Sequence, residues 1–337
     1  MSEMPLPGQF AVLNPGGRDA FCDYANGVGQ PDDSLHPPVN YHAYAACMGG
    51  VFARTLKEVP DSCKGVLVLL RKRHLEEALR CITALRDRGI RSLISWKESG
   101  LHQVTDALSD PGRMAKFSEI CMDADFYLSS TPELGPVYES AGCLTGKYLP
   151  TPYPVEEARW DFSLPLESRK GVFIGTREFD IPSRNHLLAL TVMADSETPV
   201  TVINTGGRST EKLTRAISKD ITIVNGPLSY GEYLSLMAKH RIVFQLDRSA
   251  VPGQVAGDAL LTRTPCVGGD GAIERLAYAS LCGAGKTIAE LLTLSDELLT
   301  HDERWLAEQR GSQIAARSLV SFSAARAELC LLLGITS

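Results

Sequence analysis

Short apolar runs rich in β-branched and aromatic residues alternate along most of the chain with segments whose apolar positions recur at helical spacing. That is the pattern of parallel sheets covered on both faces by helices, so the fold class is α/β. In the first half, Gly65–Leu70, Ser92–Trp96 and Phe126–Ser130 read as strands, with a strand-like run at Phe10–Leu13. Leu75, Ala78, Leu79, Ile82 and Leu85 form one apolar helical face that ends near Gly89. In the second half the strands are Gly171–Gly175, Val200–Thr205, Ile221–Gly226, Arg241–Asp247 and Thr264–Gly268. Two doubly wound units follow from this pattern. Between them, Pro150, Pro152 and Pro154 remove backbone donors and fix φ, which suits a connection and no sheet or helix interior. After Ala289 the spacing predicts helices over 289–299, 301–316 and 321–333, with no strand beyond them.

The expected organisation is an N-terminal domain over 1–154, a linker over 155–167 and a second domain over 168–317. A C-terminal helix within 318–337 would pack back on the N-terminal domain. A length of 337 residues fits two such cores. Composition changes the picture in three places. The net charge of −6 offers no global attraction for nucleic acid or anionic membrane, so any phosphate must be held locally. Nine scattered cysteines without a CxxC pair or a Cys/His cluster speak against a disulfide framework and a structural metal, so no metal is expected. No apolar stretch approaches the roughly 20 residues that span a bilayer, and the N-terminus lacks signal-peptide features. The expected location is cytoplasmic.

The stretch Phe244 to Gly269 carries the most chemistry. It reads as a strand, a Pro-Gly loop, a short helix with Asp258 in its first turns, and a strand opening at Thr264-Pro265. A glycine loop entering a helix lets backbone N–H groups approach an anion, and the helix N-terminus favours negative charge. Pro252, Gly253, Gln254 and Val255 would therefore cradle a diphosphate, and Asp258 could accept hydrogen bonds from ribose hydroxyls. The stretch resembles the nucleotide-sugar signature of GT-B glycosyltransferases, especially the retaining group-1, GT4-like enzymes. Their pattern runs Glu-Gly-Phe-Gly, four residues, then Glu-Ala-Met-Ala-x-Gly-x-Pro-Val-Val. Asp258-Ala259-Leu260-Leu261-Thr262-Arg263-Thr264-Pro265-Cys266-Val267 matches the second half, and Gly253 takes the place of the second glycine. Ala250 stands where the family has a glutamate that contacts the donor sugar, Asp258 shortens the second glutamate, and Arg263 replaces the later glycine.

A second match lies at Gly175-Thr176-Arg177, after the strand Val172–Ile174, followed by Arg184-Asn185-His186. It resembles the opening of the family's C-terminal domain, where two cations hold the donor diphosphate. The resemblance implies that Arg177 and Arg184 stabilise charge on the leaving group, a role for paired guanidiniums that needs no metal. It also implies that Gly175, Thr176 and the Asn225-Gly226-Pro227 loop take part in donor binding. Ala124 to Glu133 and Lys147 to Pro152 look like the end of a GT-B N-terminal domain, so the resemblance spans about two thirds of the chain, from Gly65 to Gly283.

The implied architecture is two Rossmann-like domains facing a cleft, with acceptor binding in the first and a nucleotide-diphosphate sugar in the second. The implied activity is metal-independent transfer of a sugar from that donor, UDP- or GDP-linked, to an acceptor that is a glycan, a small molecule or a protein; no further cofactor is called for. On the acceptor side, His42 is the candidate for polarising a hydroxyl, with Glu98 and His102 as alternatives in the loop after a strand. A nucleotide-sugar epimerase or phosphorylase on the same fold, or a catalytically degenerate GT-B protein that only binds, remains open. Two other glycine motifs fail. Gly283-Ala284-Gly285-Lys286-Thr287 has Ser280 where a Walker A loop needs its first glycine, and Gly27-Val28-Gly29 lacks the third glycine of a dinucleotide fingerprint.

Overall fold

The computed structural model describes residues 8–29, 36–176, 179, 181–194, 196–218 and 220–335. The chain divides into two compact units, one made of Met1–Pro154 with Val320–Ser337 and the other of Val155–Leu319.

Seven strands form the sheet of the first unit among the described residues: β1 (Phe10–Leu13), β2 (Cys22–Asp23), β3 (Val51–Ala53), β4 (Gly65–Leu70), β5 (Arg91–Trp96), β6 (Phe126–Ser129) and β7 (Gly146–Tyr148). Their order is β2-β3-β1-β4-β5-β6-β7. Every pairing is parallel except β2 with β3. All six residues of β4 are buried, as expected of a central strand covered on both faces. The helices are α1 (Tyr41–Cys47), α2 (Leu75–Asp87), α3 (Leu101–Leu108), α4 (Pro111–Asp123) and α5 (Gly135–Ser140). On α2 the five residues of the apolar face are buried, as their spacing predicts. Asp110 caps α4 by accepting a hydrogen bond from the Arg113 N–H at 2.9 Å, and Pro111 follows at the first helical position, where a missing N–H costs nothing.

The second unit holds β8 (Val172–Ile174), β9 (Val200–Asn204), β10 (Thr222–Asn225), β11 (Ile242–Gln245) and β12 (Cys266–Gly268), paired in the order β10-β9-β8-β11-β12 and parallel throughout. Its helices are α6 (His186–Met193), α7 (Gly207–Ile217), α8 (Tyr230–Ala238), α9 (Gln254–Leu261), α10 (Ala272–Ala277), α11 (Ile288–Thr300) and α12 (Asp302–Leu319). Both sheets are thus doubly wound, with the strand order reversing beside β1 and beside β8.

The last helix, α13 (Phe322–Leu333), belongs to the first unit and packs on α1. Arg326 Nε donates to the Cys47 carbonyl at 2.7 Å, Arg91 Nη1 donates to the Leu333 carbonyl at 3.1 Å, and Lys147 pairs with Glu328. Gly65 makes this docking possible, because a Cβ there would overlap the Leu333 side chain. All nine cysteines are buried and unpaired. Among the described residues no helix is long and apolar enough to cross a membrane, and no group of three or more His, Cys, Asp or Glu is placed to hold a metal ion.

Candidate functional site

The second unit places the glycine loop after β11 at the carboxyl end of its sheet, next to the loop after β8. In an open α/β sheet these two loops diverge at the switch in strand order and leave room for a ligand. Gly175 and Val255 meet there: a Cβ on Gly175 would overlap the Val255 side chain, so the glycine lets the first turn of α9 lie against β8. Gly253 is the N-cap residue of α9 with φ 91°, a conformation open to glycine. Pro252 precedes it, and its carbonyl accepts from the Ile273 N–H at 3.2 Å. Gln254 is exposed at the helix entrance.

Arg184 is brought to the same loop. Its Nη1 lies 2.9 Å from Asp247 Oδ2, and the pairing is between a largely buried carboxylate and a guanidinium that keeps 29% of its surface in solvent. The segments around the two partners are tied by backbone, with Arg248 N–H donating to the Ser183 carbonyl at 2.8 Å and Asn185 Nδ2 to the Leu246 carbonyl at 2.8 Å. The other candidate cation, Arg177, lies outside the described residues. Thr176 is buried, and its hydroxyl sits 3.2 Å from His186 Nδ1 at the start of α6. Burial lowers the His186 pKa to about 4, so this imidazole is neutral near pH 7.

Asp258 sits one turn into α9 with 1% of its surface exposed. The Tyr230 hydroxyl donates to its Oδ1 at 2.5 Å. Tyr230 opens α8, four residues after Gly226, whose φ is 93° and around which a Cβ would meet nothing. The carboxylate therefore orients a phenol beside the open Gly226 loop, and the half-buried Tyr230 ring is the group of this pair that faces outward.

One functional candidate escapes the sequence reading. Glu274, on α10, is 2% exposed and lies beneath the turn that enters α9. Gln245 Nε2 donates to its Oε1 at 2.5 Å, while Oε2 has no hydrogen-bond partner among the described residues. A Cβ on Gly253 or Gly271 would collide with that Oε2. Burial pushes the Glu274 pKa up to about 7, with the nearby Asp247 adding to the rise. Asp270 beside it is also raised, chiefly by burial, and accepts from the Ala250 N–H at 3.1 Å. The signal was available in Gly271 opening a helix three residues before Glu274, the same grammar that singled out Gly253.

In the first unit the three acceptor-side candidates part company. His42 is 3% exposed, stacked between His36 and Phe52 with ring centroids 3.8 and 3.6 Å away, and its Nδ1 lies 2.9 Å from the Tyr24 hydroxyl. Burial drives its pKa down to about 2, so it is a neutral, packed imidazole. Glu98 and His102 instead line one cavity of about 1020 Å³, where Glu98 lies 3.5 Å from Arg71.

No family model matches the chain, and no curated protein matches it in sequence. Solved structures share its architecture. Anabaena HepE in complex with UDP and glucose superposes with a TM-score of 0.57 at 13% identity, covering 81% of this chain and 78% of that one. The E. coli trehalose-6-phosphate structure bound with UDP-2-fluoro glucose gives 0.60 at 12% identity, over 83% and 75% of the two chains. A UDP-forming α,α-trehalose-phosphate synthase from Burkholderia xenovorans gives 0.58 at 13% identity, over 88% and 78%. At such identities the likeness establishes the fold.

Proposed function

We propose, from the premise that the chain carries the GT-B glycosyltransferase fold, that it transfers a sugar from a nucleotide-diphosphate donor held by the second unit. The observation that supports this reading most is the meeting of three features at the switch point of that unit: the Gly253 turn, the Arg184 guanidinium and the Tyr230–Asp258 pair. Backbone N–H groups at the start of α9 and the Arg184 guanidinium would receive the diphosphate, where a fixed positive field stabilises the charge that builds on the leaving group. Asp258 would act by holding Tyr230 against the nucleoside part, next to the Gly226 loop. In the transfer the acceptor hydroxyl oxygen forms the bond to the anomeric carbon as the bond to the diphosphate oxygen breaks, and the hydroxyl proton leaves to a base. Exclusion of water favours transfer over hydrolysis.

The solved neighbours are complexes with UDP and glucose, UDP-glucose or UDP-2-fluoro glucose, which makes UDP the first ligand to test and GDP the control. Calorimetric titration should show binding of UDP, and Arg184→Ala should weaken it by about tenfold to a hundredfold, the loss expected for one charge-assisted hydrogen bond. Equal affinity in wild type and variant would overturn the site assignment. Because guanidinium supplies the positive charge, donor turnover should persist in EDTA. Ala250, with φ 46°, occupies the place of the family's donor-sugar glutamate, so release of UDP from UDP-sugar in the presence of acceptor is the assay that separates a transferase from a protein that only binds.

A further inference from the structure

The cavity of about 1020 Å³ in the first unit opens at the carboxyl ends of β1, β4 and β5. β1 has β3 on one side and β4 on the other, so the loops leaving β1 and β4 diverge and form the crevice that open α/β sheets use for ligands. Its wall departs from the charge of the whole chain. The protein carries −6, yet this wall has five arginine and lysine side chains against three carboxylates.

The pairing inside the wall leaves the excess exposed to a ligand. Arg71 lies 3.5 Å from Glu98 and Lys72 lies 2.6 Å from Asp106. Asp19, the third carboxylate, accepts from Asn14 Nδ2 at 2.8 Å. Arg18, Arg73 and Lys97 make no ion pair among the described residues, and Lys97 Nζ is held 5.5 Å from the centre of the Tyr41 ring. Two further features shape the same wall. The loop after β1 has glycine at 16, with φ 69°, where a Cβ would overlap the His74 ring, so the imidazole borders the cavity. Trp96, only 1% exposed, lines the cavity and has an indole N–H without a partner among the described residues. The Arg18 and Arg73 guanidiniums and the Lys97 ammonium, less the charge of Asp19, leave an excess of two positive charges, which matches a dianion with several acceptor oxygens better than it matches a single carboxylate.

We infer that this cavity binds the phosphate of a phosphorylated, hydroxyl-bearing acceptor through Arg18, Arg73 and Lys97. The inference deepens the proposed function and rests on it for the word acceptor; the phosphate site itself does not. Glu98 and His102 then border the cavity in which the acceptor lies.

The probes are inorganic phosphate and glycerol 3-phosphate, the latter being a small phosphate monoester with free hydroxyls, with glycerate and glycerol as carboxylate and uncharged counterparts. In calorimetric titrations at up to about 20 mM ligand, both phosphates should bind, glycerate at least about tenfold more weakly, and glycerol not measurably. Added salt should weaken the phosphates. Arg73→Ala and Lys97→Ala should each lower phosphate affinity by about five- to tenfold and leave UDP affinity unchanged. The inference is overturned if neither phosphate binds, if glycerate binds as well, or if both variants bind phosphate as the wild type does. Loss of UDP binding with phosphate binding intact would remove the donor reading and keep the cavity assignment, whereas the reverse result would remove this inference alone.

Discussion

A single methyl group at residue 253 tests the donor loop. Gly253 has φ 91°, and a Cβ there would run into Glu274 Oε2 and crowd the Ile273 N–H. Gly253→Ala should therefore destabilise the protein by about 1–3 kcal/mol, read as a lower urea midpoint, and should weaken UDP binding as the turn moves. Glu274 below it gives a pH signature. Its folded pKa of about 7 exceeds the ordinary carboxyl value of 4.5, so the native state binds more protons over that interval. This contribution is fully present below pH 4.5 and is lost as pH rises through 7. Glu274→Gln should remove that slope from the stability profile; an unchanged profile between pH 4.5 and 7 would show that the carboxyl titrates normally. The contrast between these neighbours explains what was legible. Gly253 and Arg184 stood out in the sequence because a glycine entering a helix, and a cation after a strand, are local patterns. Gly271 marks the entry to α10 locally, but Glu274 gains its character from α10 folding over Gln245 and Gly253, contacts across 29 and 21 residues of chain that a local pattern does not encode. Asp258 was legible as a carboxylate at the loop and illegible as the partner of Tyr230, for the same reason.

Elements with their own burial pattern were readable, and those that depend on neighbours were not. The strand expected at Gly65–Leu70 occupies those residues, and the one expected at Ser92–Trp96 starts one residue earlier. The apolar face expected from Leu75 to Leu85 lies within α2. These runs are apolar enough to declare a central strand or a packed face. β3 and β7 span three residues each, and β7 is only half-buried at the sheet edge, so no periodicity could reveal them. The segment Trp96 to His102, expected as loop, becomes helix from Leu101 onward, where Gly100 N–H finds Gln103 Oε1 at 3.2 Å. The element whose loss should matter most for the first unit is α13. Leu333, 3% exposed, fills the space left by Gly65, so Leu333→Ala should cost about 2–5 kcal/mol of that unit's stability. Urea unfolding followed by hydrogen exchange should show the loss in β4 and β5 while the second unit keeps its protection.

Across the molecule, three buried histidines set the response to acid. Burial lowers the pKa of His42 to about 2 and of His186 to about 4, and lowers that of His240 as well. An unfolded imidazole takes its proton near pH 6.5, so in acid the unfolded chain binds protons that the native state refuses. The stability present above pH 6.5 should fall as pH drops toward 4, opposing the slope from Glu274. Thermal melts at pH 7.5 and 5.0 should show the lower midpoint at 5.0, and His42→Asn should reduce the difference. The route of the backbone adds a constraint of timing. The second unit is one uninterrupted stretch, 155–319, whereas the first is completed by residues that follow it. A ribosome making this protein therefore releases the first sheet with the seat beneath Leu333 vacant, and that apolar seat stays unfilled through the synthesis of 165 further residues. Nascent chains halted anywhere in that interval should be the form that chaperones recognise and proteases cut.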